Sequence, residues 1–249
     1  MRPAQVVIAA LASLVGTAPA LAGELTLYTY HANAPFVTGD GQGLTYDFAD
    51  YLSKKSSGAI KAKVSLLPRA RVDQAVQAPD FKDAVVWVFP AWFKDKEKTT
   101  YNWSEALFAD TNAVVSTPAK KLEYAGPESF KGLTFGGVLG HNYVGLDDLV
   151  KAGQVTRQDA QNEETNLKKV ASGRVDATLL PGSSLNFLVK QLGIEGKVHV
   201  SANPQSAYTR HILIGKSNTE LLKQVNAVVA GMNADPDWQA ILAKYQIKN

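Results

Sequence analysis

Ala84-Val85-Val86-Trp87-Val88-Phe89 is an unbroken apolar run between Asp83 and Pro90. A short run without polar alternation suits a strand whose sheet is covered on both faces. Such a strand belongs to a layered domain, with helices packed above and below it. The rest of the chain supplies them. Short β-rich runs alternate with helical ones, which predicts an α/β fold.

In the first half, Leu25-Thr26-Leu27-Tyr28-Thr29-Tyr30 alternates like a strand, and residues 38–43 form a glycine-rich turn. A helix from Thr45 puts Leu44, Phe48, Tyr51 and Leu52 on one face, with Gly58 beyond its end. Val64-Ser65-Leu66-Leu67 reads as a strand, followed by a helix through Val72 and Val76. A second set begins near Thr117. Strands are expected at 133–138 and 175–180, and helices at 143–150, around Leu167 to Ala171 with a stop at Gly173, and at 183–191. His211-Ile212-Leu213-Ile214 is the last strand. Leu221, Val225, Val228, Val229 and Met232 then make a helical stripe. Asp235-Pro236 restarts a final helix, aspartate as N-cap and proline at the first helical position.

Composition removes several function classes. Hydrophobic residues make up 45% of the 249 and charged residues 20%, which excludes a disordered chain. The net charge of +3 is spread out, with no Lys/Arg block to track phosphates, so no nucleic-acid partner is expected. Cysteine is absent, which excludes disulfides, Cys-zinc sites, iron–sulfur clusters and thiol nucleophiles. Four histidines without H-x-x-x-H spacing argue against a metal site, and no cofactor motif appears. At the N-terminus Arg2, the apolar stretch 6–15 and Ala20-Leu21-Ala22 read as a secretory signal peptide (1–22). Cleavage is expected after Ala22, leaving an exported, periplasmic protein.

Several segments resemble one family in order and spacing. Ala34-Pro35-Phe36 is similar to an x-Pro-Phe after the opening strand, and 43–49 to a Gly-Phe-Asp-x-Asp-Leu-Ala helix start. Leu67-Pro68-Arg69-Ala70-Arg71 resembles a Leu-Pro-x-x-Arg, and Trp103-Ser104-Glu105 a Phe-Ser-Asp. Phe130 to Gly140 resembles the segment opening a second lobe, and 171–177 an Ala-x-Gly-Arg-Val-Asp-Ala. The family is that of bacterial extracellular solute-binding proteins of the polar amino acid type (family 3). The resemblance implies a two-lobe periplasmic-binding-protein fold (type II), with two crossover strands forming a hinge. Lobe 1 would comprise 23–112 plus 207–249, and lobe 2 would comprise 113–206. Ligand would sit between them, and closure of the lobes would follow binding.

The ligand pocket departs from that pattern. The family's carboxylate-binding arginine has no counterpart in 90–98; Lys96 or Lys98 would replace it, or both belong to a solvated charge cluster. Gly140-His141-Asn142 replaces a Gly-Thr-Thr, Pro181 the ammonium-binding aspartate, Tyr30 a helping aspartate and Asn33 a packing aromatic. Tyr30, His31, Phe89, Trp92, His141 and Tyr143 would then make an aromatic, neutral cleft, unsuited to a common α-amino acid. Phe36, Arg71, Pro90, Asn142 and Tyr208 complete the ligand-binding candidates. Asp47 and Arg71 either line the cleft or fix a helix start. Arg210 stands near the returning crossover, where it would offer an anion contact. His199 and His211 read as structural, and Asp147-Asp148 and Glu163-Glu164 as solvated charges.

Catalytic motifs are thin, and no enzyme is expected. Pro181-Gly182-Ser183-Ser184 is not a nucleophile elbow, and 136–140 lacks dinucleotide spacing. The expected function is a monomeric periplasmic solute-binding protein that captures a small polar or amino-acid-like molecule for an inner-membrane ABC permease. The alternative is a ligand-sensing or regulatory module acting through a membrane receptor.

Overall fold

The computed structural model describes residues 23–247. The expected signal peptide lies outside the described residues. Among the described residues no helix is long and apolar enough to cross a membrane.

The first half is a sheet with helices on both sides. β1 (Gly23–Thr29) pairs in parallel with β2 (Ile60–Leu66) and β3 (Ala84–Val88). β3 is buried along its whole length, as its unbroken apolar run requires. α1 (Leu44–Lys55) covers one face with Phe48 and Leu52. α2 (Arg69–Val76) covers the other with Val72 and Val76, against Val85 and Val88. β4 is the short pair Asn102–Trp103.

The second half repeats the plan. β5 (Phe108–Ser116) leads into it, followed by β6 (Thr134–Val138), α3 (Leu146–Lys151) and β7 (Thr156–Ala160). Then come α4 (Glu163–Ala171), β8 (Ala177–Pro181), α5 (Gly182–Leu192) and β9 (His199–Val200). β10 (Ser206–Ile214) returns to the first half, where α6 (Thr219–Met232) and α7 (Pro236–Lys244) complete the core. Asp235 caps α7 by accepting from the Asp237 amide, as its Asp-Pro start predicts.

The strand order β2-β1-β3-β10-β5-β8-β6-β7 shows how the halves join. β10 pairs with β3 through 211–214 and with β5 through 206–210. β5 pairs with β10 at its start and with β8 at its end. These two antiparallel strands are the crossovers of a two-lobe α/β fold. Each lobe keeps its own core on the two faces of its sheet.

One irregularity sits at the junction. Trp87 has φ 67, the left-handed region that bulky residues rarely adopt. Across from it the consecutive β10 residues His211 and Ile212 stand opposite Val88 and Val86, so the pairing passes over Trp87. Trp87 is the extra residue of a β-bulge, and its carbonyl leaves the ladder.

Candidate ligand-binding cleft

A cavity of about 800 Å³ lies where the two lobes meet the crossover strands. Its walls follow from the topology. Open α/β sheets present loops and helix starts beyond the C-terminal ends of their strands. Lobe 1 contributes Tyr30, His31 and Asn33 after β1, Arg69 at the start of α2 after β2, and Trp92 in a 3₁₀ turn (Pro90–Phe93) after β3. Lobe 2 contributes Gly140 to Val144 after β6, Glu163 at the start of α4, and Leu179 to Pro181 at the end of β8. Asn112, Gln205, Ser206, Tyr208 and Arg210 come from the crossover region.

Arg210 anchors the floor. It is fully buried, and its Nε donates to Asp110 Oδ2 at 2.6 Å. Its Nη1 donates to the Trp87 carbonyl at 2.7 Å, the group freed by the bulge. Its guanidinium lies over the rings of Phe36 (4.6 Å), Tyr208 (5.4 Å) and Trp92 (5.6 Å). His31 Nε2 stands 3.1 Å from the same carbonyl and 3.3 Å from Arg210 Nη1, so it donates to the carbonyl in one tautomer and accepts from the guanidinium in the other. Burial, and after it the Arg210 charge, hold His31 well below its usual pKa, so the imidazole is neutral. Asp110 also accepts from the Ser183 amide (2.9 Å) and hydroxyl (2.7 Å), fastening α5 to β5. A Cβ at Gly182 would meet Thr111 Oγ1 at 2.5 Å, so this close approach requires glycine.

Arg69 forms the lobe 1 wall. Its Nε donates to Asp73 at 2.8 Å, its Nη2 to the Trp92 carbonyl at 2.6 Å, and it stacks over Tyr30 and Phe93. Burial pushes the Tyr30 phenol up to about 12, so it stays protonated and able to donate.

In lobe 2, Arg157 holds the 138–143 turn together. It donates to the carbonyls of Val138 and His141 and pairs with Asp147 and Asp159. Tyr143 Oη accepts from the Val138 amide at 2.9 Å. Burial first, and the Glu163 charge after it, raise the Tyr143 phenol to about 12. Glu163 is only 8% exposed, and its carboxylate accepts from the Asn33 amide across the cleft.

Among the sequence candidates, Tyr30, His31, Asn33, Trp92, His141, Asn142, Tyr143 and Tyr208 come together in this cavity. Phe36, Phe89, Pro90 and Arg71 do not line it. Phe36 is buried beneath Arg210 and His31, Pro90 is buried, and Phe89 packs behind Trp92 and Tyr208. Arg71 is exposed on α2 and bonds Gln74; the wall arginine is Arg69, two positions earlier. Two further expectations are corrected. Glu163 is a buried cleft residue, because α4 begins at the lobe interface. The cleft is not neutral, since Arg69, Arg210 and Glu163 all face it.

Lys96 and Lys98 are exposed and absent from the lining, because Asp95 winds their loop inward on itself. Asp95 accepts from the Trp103 indole at 2.7 Å and from the amides of Thr99, Thr100 and Tyr101. Burial alone would raise its pKa; these donors outweigh it and bring the value to about 2. A carboxylate depressed in the folded state stabilises above its unfolded pKa, and that contribution disappears as pH falls through the folded value. Melting temperature measured from pH 5 to 2 should therefore fall less steeply in Asp95→Asn, which begins from lower stability at neutral pH. Parallel curves for the two proteins would contradict this assignment.

No family model matches the chain, and no curated protein matches it. Solved structures do match. An ancestral arginine-binding protein bound to arginine has a TM-score of 0.68 at 21% identity, over 90% of this chain and 99% of the other. A structure on glutathione import through GshT and the cystine ABC importer TcyBC of Streptococcus mutans gives 0.68 at 14% identity, over 90% and 95%. The ancestral amino acid-binding protein AncCDT-1, described as a precursor of cyclohexadienyl dehydratase, gives 0.65 at 18%, over 90% and 95%. The chain has the two-lobe fold of periplasmic binding proteins. Its structural neighbours are amino-acid-binding proteins and substrate-binding proteins of amino acid ABC transporters.

Proposed function

We propose that this chain is a periplasmic solute-binding protein, capturing a small polar or amino-acid-like molecule for an inner-membrane ABC importer. The observation that carries the reading is the interlobe cavity of about 800 Å³, lined by both lobes and floored by both crossovers. That volume falls within the roughly 300–1,000 Å³ of small-molecule sites. Polar groups from each lobe face it, so one ligand can touch both and stabilise the closed arrangement. The lobe division that goes with this reading is 23–112 plus 207–249 against 113–206, in a monomer. The arginine-, glutamine- and glutathione-related neighbours support a binding role over catalysis.

Native mass spectrometry of protein taken from its own periplasm tests the proposal. One small molecule should be carried per chain, released on denaturation and identifiable by mass. An empty protein that also gives no heat with a broad metabolite panel in calorimetry would overturn it.

A further inference from the structure

Charge is unevenly balanced in the cleft. Arg210 has Asp110 at 2.6 Å, and Arg69 has Asp73 at 2.8 Å. Each guanidinium thus brings its own carboxylate. Glu163 brings no cation: its hydrogen-bond partner is the neutral Asn33 amide, and among the described residues no Lys, Arg or His forms an ion pair with it. It is nonetheless 8% exposed and faces the cavity. A carboxylate withdrawn from water without a countercharge is costly, and an incoming cation relieves that cost. The rings of Tyr30, Trp92 and Tyr143, each already covered by a guanidinium of the protein, line the same space and offer apolar surface to the ligand's carbon chain.

Resting on the solute-binding reading above, we infer that the ligand is an organic cation whose ammonium or guanidinium group pairs with Glu163. The α-carboxylate of a zwitterion gains little here. It would have to compete with Asp110 and Asp73 for guanidinium groups already paired. The cleft therefore prefers an amine to the amino acid of the same carbon chain.

Calorimetry on the full chain with matched probes tests this. Pentylamine and hexanoate are norleucine without its carboxylate and without its amine, and agmatine is arginine without its carboxylate. Pentylamine and agmatine should each bind about tenfold or more tightly than norleucine and arginine, and hexanoate should not bind. Glu163→Gln should weaken the amines by about 10- to 100-fold. Glu163→Asp, which keeps the charge, should recover part of that loss. An amino acid binding as tightly as its amine, a Glu163→Gln variant of unchanged affinity, or silence from every probe would each overturn the inference. If the variants fail to fold, the amine-to-amino-acid comparison on the unaltered protein decides alone. Release of a neutral zwitterion or an anion from the periplasmic protein would end this inference and keep the solute-binding reading. An empty, unresponsive protein would end both.

Discussion

Asp110→Ala should be among the most destabilising single substitutions in this protein, at about 3–5 kcal/mol, because it strands a buried arginine. Arg210 and Asp110 have side chains exposed by 0% and 1%, and their ion pair is 2.6 Å long. Without the carboxylate, the guanidinium keeps carbonyl, hydroxyl and ring partners but no opposite charge. The Ser183 amide and hydroxyl lose their acceptor as well, so the start of α5 loosens from β5. At about 2–4 °C per kcal/mol for a chain of this size, the melting temperature should drop by roughly 10 °C. Removing both partners is different, since a well-packed apolar pair often replaces a buried ion pair at little cost. Asp110→Leu combined with Arg210→Met should therefore melt closer to the unaltered protein than Asp110→Ala does. Thermal unfolding followed by circular dichroism checks both. A loss below about 1 kcal/mol in the single variant would mean that water reaches Arg210.

This pair also marks where sequence reading stopped. β3 was legible because it is buried on both faces and carries no polar residue to obscure it. The stripe of α6 and the Asp-Pro start of α7 were legible because helical period and capping are local. β5 and the first half of β10 were not. Phe108-Ala109-Asp110-Thr111-Asn112 and Ser206-Ala207-Tyr208-Thr209-Arg210 pair with each other at the lobe junction, where one side faces the cleft and needs polar groups. Neither shows an apolar run or a clean alternation. β7, Thr156–Ala160, is a largely exposed edge strand without a buried residue, so it left no hydrophobic signal either.

The cleft followed the same division. Tyr30, His31, Trp92 and residues 141–143 line the cavity because they stand in loops after strands, where such folds open their clefts. Glu163 looked like one of two adjacent solvated acids, and only the meeting of α4 with the Asn33 loop buries it. Arg69 and Arg71 share one short motif. Choosing between them needs the direction of the first turn of α2, which period alone does not supply.

Trp87 supplies the second large effect. Trp87→Ala should cost about 3–5 kcal/mol, because the indole is fully buried among Phe36, Phe48 and Phe108 and donates to Thr45 Oγ1 at 3.0 Å. Trp87→Gly should differ from it in an informative direction. In a regular strand glycine is about 0.5–1 kcal/mol worse than alanine, since it gives up more freedom on folding. At φ 67 any residue with a Cβ bears about 1–2 kcal/mol of backbone strain that glycine escapes. The two terms oppose, and the strain term is larger, so Trp87→Gly should match or exceed Trp87→Ala in melting temperature. Finding glycine clearly worse would mean that β3 runs straight through Trp87 and that no bulge exists. The bulge matters to the cleft because it frees the Trp87 carbonyl, on which both Arg210 and His31 converge. Strained backbone at a junction is retained when it positions something, and here it positions a buried guanidinium between the two lobes.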